Sequence, residues 1–191
     1  MIRKKVIILT ILGLLAMLLF WSKSANNHQD LFTDSIATAQ VKTVYYGIRH
    51  AEKDRSNIND NDPELTSTGL ERANLWAKYF DSIPLNGIYS TSYKRTLQTI
   101  LPTAASQTLD PRIYVPETFI DSAFMTTTRG GNWLISGHSN TMPATINALI
   151  QSDSLQDIPD HENGRLYRVT LYQGKASLDI TTIPLKAKEQ H

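Results

Sequence analysis

Cysteine is absent from the 191-residue chain. That single absence removes disulfides, thiolate metal sites, iron–sulfur clusters and thiol nucleophiles together. An excess of charge is missing too. The 19 Lys and Arg against 18 Asp and Glu leave a formal charge of +1, so no clustered basic face recommends nucleic acid as a partner. Internal repeats and low-complexity runs are also lacking. A hydrophobic share of 41% excludes a chain disordered throughout, and the length suits one domain with an appendage. Chemistry, if there is any, falls to His, Ser, Thr, Tyr, Asp, Glu, Lys and Arg.

The appendage comes first. Arg3, Lys4 and Lys5 precede an almost unbroken apolar run from Val6 to Trp21. Signal-peptide cores run about 7–15 residues and spanning helices about 17–25, so this run lies at the border of the two. Residues 1–25 therefore read as a signal peptide or an uncleaved N-terminal membrane anchor, with a buried N-terminal helix as the third option. Both leading options keep the basic cluster in the cytoplasm and send the body outside, to the periplasm or tethered to the inner membrane. Losing residues 1–25 takes away Arg3, Lys4, Lys5 and Lys23 and no acid, which leaves a mildly acidic body. Residues 26–42 are polar and aperiodic, a linker. Residues 43–185 hold the remaining periodic pattern, and 186–191 form a tail.

Within the body, strand-like and helix-like runs alternate. Val44–Ile48 is a short β-branched and aromatic strand ending at Arg49-His50. A loop rich in Asn and Asp follows, from Asp54 to Asp62. Thr68-Gly69-Leu70-Glu71 has the spacing of a capping box and opens a helix with Leu70, Ala73, Trp76 and Phe80 on one face. Asn86-Gly87 leads into a strand at Ile88–Ser90. Thr91-Ser92 then caps a helix carrying Arg95, Leu97 and Ile100, which Pro102 should end or kink. Ile113–Val115 is a further short strand, and Asn132–Ser136 a clearer one, ending at Gly137-His138. A helix over Met142–Ile150 tolerates Pro143 in its first turn. Leu166–Tyr172 and Ala176–Ile183 make a hairpin about Gln173-Gly174-Lys175. This order argues for an α/β sandwich with a mostly parallel sheet and an antiparallel edge.

Open α/β sheets bind ligands beyond the carboxyl ends of their strands. His50 and His138 each follow an apolar strand and so share that rim. Arg49 adjoins the first, and Arg95 lies in the first turn of a helix whose N-terminus favours anions. Two arginines and two histidines suit a phosphoryl group, whose oxygens match guanidinium forks. No metal-ligand spacing competes with them.

These residues carry a resemblance. Arg49-His50-Ala51-Glu52-Lys53 resembles the Arg-His-Gly motif of the histidine phosphatase (phosphoglycerate mutase-like) superfamily, branch 1. Leu65-Thr66-Ser67-Thr68-Gly69 is similar to its L-T-x-x-G helix start, and Ser90–Thr99 to its second-arginine segment. Ser136–Thr141 resembles its second-histidine motif. Four motifs stand in family order between about Val44 and Thr170. The resemblance implies a phosphoglycerate mutase-like three-layer α/β/α sandwich. It implies His50 as a nucleophile forming a phosphohistidine, with Arg49, Arg95 and His138 holding the phosphoryl oxygens. It implies no metal and no cofactor. His50 must be neutral to attack and a charged His138 would donate best, so the two should differ in protonation.

The acid is less defined. Glu117 lies in the usual stretch, Glu52 is the alternative, and a site without a dedicated acid is the third reading. The position after the second histidine, an Asp in another branch, is Ser139 here. Asn140 either donates to phosphate or caps the next helix. Lys53 and Arg55 either reach a substrate's distal part or line a solvated loop. His161-Glu162 reads as surface, Trp76 and Trp133 as core.

The implied function is an exported, metal-independent phosphatase acting on a small-molecule or envelope phosphomonoester, or on phosphohistidine. A phosphosugar mutase and a weakly active phosphate-binding or scaffold protein are the alternatives. No protein partner is inferable, and membrane contact would run through the N-terminal segment. Leu101–Gly131, where relatives differ in specificity, carries few signals.

Overall fold

The structure, a computed structural model, describes residues 40–185. The expected leader at 1–25, most of the linker and the tail at 186–191 lie outside the described residues. The chain divides into two units, Met1–Val41 and Lys42–His191, and the second carries everything below. No helix among the described residues is long and apolar enough to cross a membrane.

Six strands form one sheet: β1 (Thr43–Arg49), β2 (Gly87–Ser90), β3 (Arg112–Ile113), β4 (Asn132–Gly137), β5 (Arg165–Tyr172) and β6 (Lys175–Thr182). Their order is β3-β2-β4-β1-β5-β6. The first four are mutually parallel, while β5 runs antiparallel to β1 and to β6. The mostly parallel sheet with an antiparallel edge is thus the observed one. Among the described residues four helices accompany it: α1 (Ser67–Phe80), α2 (Lys94–Gln107), α3 (Ser122–Thr127) and α4 (Thr141–Ile150), with a 3-10 turn at Pro116–Thr118.

Alternation along β1 builds the layers. Val44, Tyr46 and Ile48 face Trp76 and Phe80 of α1 and Ile100 and Ala104 of α2. Tyr45, from the opposite face, joins Met142, Ile146 and Leu149 of α4. Gly47 lets that second layer close: a Cβ there would lie 2.6 Å from Met142 Sδ and 2.9 Å from Ile146 Cδ1. Trp76 and Trp133 are buried, as their apolar bulk suggests. Gln173 and Gly174 both take positive φ, 52° and 71°, the pairing that a two-residue hairpin loop requires.

Local signals were less exact. The N-cap of α1 is Thr66, whose hydroxyl accepts from Gly69 N, so the expected capping box at Thr68 is displaced by two residues. Pro102 neither ends nor stops α2, which continues to Gln107. Ile100 and Ala104 on either side are packed into the core, and that burial outweighs the one hydrogen bond proline forgoes. Thr91 and Ser92 do not cap α2. Its N-cap is Tyr93 without a side-chain bond, and Lys94 N is instead met by Asp62 Oδ1 at 2.9 Å, from the distant polar loop.

Candidate active site

β1 and β4 are neighbours in parallel register, with Arg49 opposite Gly137. His50 N donates to Gly137 O at 2.9 Å, so the residues just past the two strands are set side by side. The imidazoles of His50 and His138 lie 5.6 Å apart, edge to face. They line a cavity of about 530 Å³ with Arg49, Lys53, Arg95 and Glu117. Asn140 and Asp160 complete its wall. All six residues expected at the site therefore meet in one cavity.

The motifs of the sequence are the girders of this cavity. Thr66 N donates to Glu52 O at 2.8 Å, and Thr66 Oγ1 to the same oxygen at 3.1 Å. Gly69 comes so close that a Cβ would stand 2.2 Å from that oxygen, so only glycine fits the helix start. Gln98 accepts from Leu65 N at 2.8 Å. Thr99 accepts from Ala51 N at 2.8 Å and donates to Arg95 O at 2.6 Å. The backbone after His50 is thereby tied to both α1 and α2.

His50 is 4% exposed. Its Nδ1 lies 2.8 Å from Ala51 O. A carbonyl only accepts, so Nδ1 carries the hydrogen and Nε2 the lone pair. Burial, aided by Arg49 and Arg95, pushes the pKa down to about 3. Asn163 Nδ2 donates to His50 O at 2.9 Å.

His138 differs in partners more than in charge. Arg95 Nη2 approaches Nδ1 at 3.4 Å and can only donate. Nε2 therefore holds the hydrogen and donates to Thr91 Oγ1 at 3.0 Å. Burial, then Arg95 and Arg49, lower its pKa to about 4. The expected contrast in protonation is thus corrected: both rings are neutral near pH 7, because the same burial and the same guanidiniums act on both.

The arginines are held differently. Arg49 is 2% exposed. Its Nη1 donates to Pro159 O and Asp160 O, each at 3.0 Å, and its Nη2 to Asp160 Oδ1 at 2.7 Å. Arg95 stacks on Tyr93, with Cζ 4.3 Å from the ring centroid, and faces Asp62 at 3.5 Å. In both guanidiniums Nε is buried with no hydrogen-bond partner among the described residues. Both residues line the cavity, and a buried N–H left unmet is costly.

Glu52 does not line the cavity. Arg72 holds its carboxylate as a fork, Nε at 2.9 Å from both oxygens and Nη2 at 2.6 Å from Oε1. The alternative acid is thus part of the framework beneath α1. Glu117, on the 3-10 turn, has an exposed side chain on the cavity wall, without a side-chain hydrogen bond or ion pair among the described residues. Asp160 is the other carboxylate of the wall; Arg49 and Arg55 hold it below the usual carboxylate range. Asn140 occupies the N-cap position of α4 without a capping bond, so its side chain is exposed at the cavity. Lys53 lines it too, while Arg55 is turned to Asp160 at 2.8 Å. His161 is exposed and Glu162 pairs with Arg165.

Thr91, Tyr93, Asp62, Asp160 and Asn163 were missed by sequence reasoning. Thr91 and Tyr93 lay inside a motif already singled out, between strand and helix. Asp160 and Asn163 had no local signal, since they act across more than 100 residues of chain. No group of three or more His, Asp or Glu placed to hold a metal ion occurs among the described residues.

The comparisons agree with this geometry. Residues 45–116 match the histidine phosphatase superfamily (branch 1). No match was found among curated proteins. Among solved structures, the protein histidine phosphatase SixA complexed with tungstate is 14% identical, with 73% of this chain and 96% of that one covered and a TM-score of 0.57. Phosphoglycerate mutase from Bacillus anthracis is 15% identical, with 76% and 95% covered and a TM-score of 0.56. A mycobacterial glucosyl-3-phosphoglycerate phosphatase is 11% identical, with 74% and 98% covered and a TM-score of 0.54. The chain therefore has the phosphoglycerate mutase-like fold, and residues 45–116, from the first strand to the 3-10 turn, are similar to the histidine phosphatase superfamily (branch 1).

Proposed function

We propose that the chain is a histidine phosphatase that hydrolyses a phosphomonoester, or a phosphohistidine, through a phosphohistidine on His50. The observation that carries this reading is the orientation of His50. Its Nδ1–H is spent on Ala51 O, which leaves a neutral Nε2 beside two guanidiniums whose Nε donors lack partners.

The chemistry then follows from the residues of the wall. The Arg49 and Arg95 N–H groups receive the phosphoryl oxygens, and His138 joins them by exchanging its Nε2–H bond to Thr91 for one to phosphate. Asn140 adds an amide donor. Nε2 of His50 attacks phosphorus in line with the leaving oxygen, so the N–P bond forms as the P–O bond breaks. Glu117 gives its proton to the leaving oxygen. It then takes one from the water that breaks the N–P bond and frees inorganic phosphate. None of these steps calls on a metal or a cofactor. Glu117 is preferred to Asp160 as the acid because two arginines keep Asp160 ionised.

The mutase alternative requires the phosphoryl group to be returned to a second hydroxyl before water arrives. The exposed position of Glu117 on the wall favours water. The basic-then-apolar run from Arg3 to Trp21 supports export of the body, with residues 1–25 as its leader or tether.

The test is phosphate release from an aryl phosphate by the full chain and its His50→Ala partner, in the presence of a chelator. Turnover should persist in the first and fall at least about 10⁴-fold in the second. Wild-type protein quenched in alkaline detergent should carry a trapped phosphoryl label that acid then releases. Activity that survives in His50→Ala overturns the mechanism, and transfer to an added sugar hydroxyl in preference to water would make it a mutase.

A further inference from the structure

The wall of the cavity does not end at Glu117. Tyr114 and Val115 also line a second, shallower cavity of about 340 Å³, so the two adjoin at these residues. The second is mostly apolar. Ile113, Val115, Phe119 and Phe124 line it, with Thr118 and Thr127 among them, and Phe119 stacks on Tyr114 with centroids 4.0 Å apart. The two tyrosine hydroxyls nearby are already engaged: Tyr114 donates to Ser136 O at 3.1 Å, and Tyr89 accepts from Arg112 Nη1 at 3.3 Å.

Extended backbone explains why this groove is open. Tyr114 turns into the core, so its neighbours Ile113 and Val115 turn outward together. They are 55% and 61% exposed. Two large apolar side chains, adjacent and exposed at the mouth of a reaction cavity, mark a binding surface more than scattered surface residues do.

Direction supplies the occupant. In-line attack by His50 drives the leaving oxygen away from the cavity floor, to whichever side holds the acid that protonates it. On the reading above that side is Glu117, two residues beyond Val115 in the same segment. We infer that the leaving group of the substrate is an apolar chain or ring that lies along Ile113, Val115 and Phe119, so that the preferred substrate is an amphiphilic phosphomonoester. This rests on the phosphatase reading for the position of the phosphoryl group.

The experiment measures binding of methyl-, butyl- and hexylphosphonate to the full chain by calorimetry. It is repeated on the full chain carrying Ile113→Ser and Val115→Ser. Both side chains are exposed, and the N-terminal segment is the same in both proteins, so any binding there cancels. A methylene half-covered by the groove is worth about a twofold gain in affinity, or roughly 30-fold from methyl to hexyl. In the double variant that gain should shrink below about threefold, with methylphosphonate affinity changed by less than about twofold. A flat series in the wild type, or an undiminished series in the variant, overturns the apolar subsite while leaving the phosphatase reading in place. If no phosphonate binds at any length, both readings fall.

Discussion

The two halves of the cavity are built on opposite plans. Around His50, nearly every polar group is spent on the protein itself: Arg49 on the 159–162 loop and Asp160, Nδ1 on Ala51 O, and the carbonyl of His50 on Asn163. Around His138 the contacts are longer and partly open. Arg95 lies at 3.4 Å from the ring and 3.5 Å from Asp62, and the exposed Tyr93 holds the guanidinium over its face and meets the imidazole at right angles. A nucleophile must be oriented before substrate arrives, which favours a buried and over-determined setting. Groups that follow a phosphoryl centre through the reaction gain from a softer one.

Removing the arginines would separate the halves most sharply. Arg49→Met and Arg95→Met should each lower kcat/KM about 10²–10³-fold. Only the first should also unfold early in urea, by about 2 kcal/mol, because it removes the buried guanidinium that ties the 159–160 loop to β1. Arg95→Met, on the more open side, should cost about 1 kcal/mol or less. Equal stability losses would erase the distinction.

Acid should expose the same difference. Both imidazoles have folded-state pKa values, about 3 and about 4, below the unfolded value of about 6.5. The unfolded chain thus binds more protons between pH 6.5 and pH 4. The stability these rings contribute is whole above pH 6.5 and is lost as the pH falls. For His50 the slope is at most about 1.4 kcal/mol per pH unit. His50→Asn keeps an N–H for Ala51 O and should flatten the fall; an unchanged slope in chemical denaturation would assign it elsewhere.

Asn163→Ala is the smallest of the three perturbations. It deletes one buried hydrogen bond to His50 O, for about 1 kcal/mol in a thermal or urea melt. Its effect on turnover should exceed its effect on substrate binding, since it loosens the nucleophile and touches no phosphoryl donor.

How much of this could be read beforehand follows the range of the forces. The alternation of Val44–Ile48 and the helical spacing of Ala73, Trp76 and Phe80 are local, and so the succession of strands and helices along the chain was legible, whereas the order of strands in the sheet, set by pairing across the chain, was not read. The two histidines were placed correctly at one rim because strand ends in a parallel sheet share an edge. Caps were misplaced where distant groups replaced near ones, Asp62 for Thr91 and Ser92 at α2. Glu52 looked available because Arg72, twenty residues on, reads as an ordinary helix residue until the fold brings the two together. The short α3 and the 3-10 turn left too few residues for any period to show.

The bond from Asn163 to His50 O has a consequence for the chain in time. Synthesis runs from the N-terminus, and His50 is made early, yet its neighbouring strands β4 and β5 and the loop that clamps Arg49 begin about 80 to 115 residues later. Until that loop has left the ribosome, the nucleophile has a sequence but no place. Such long-range closure slows folding. It also means that a chain truncated before residue 160 should carry every motif and none of the clamp.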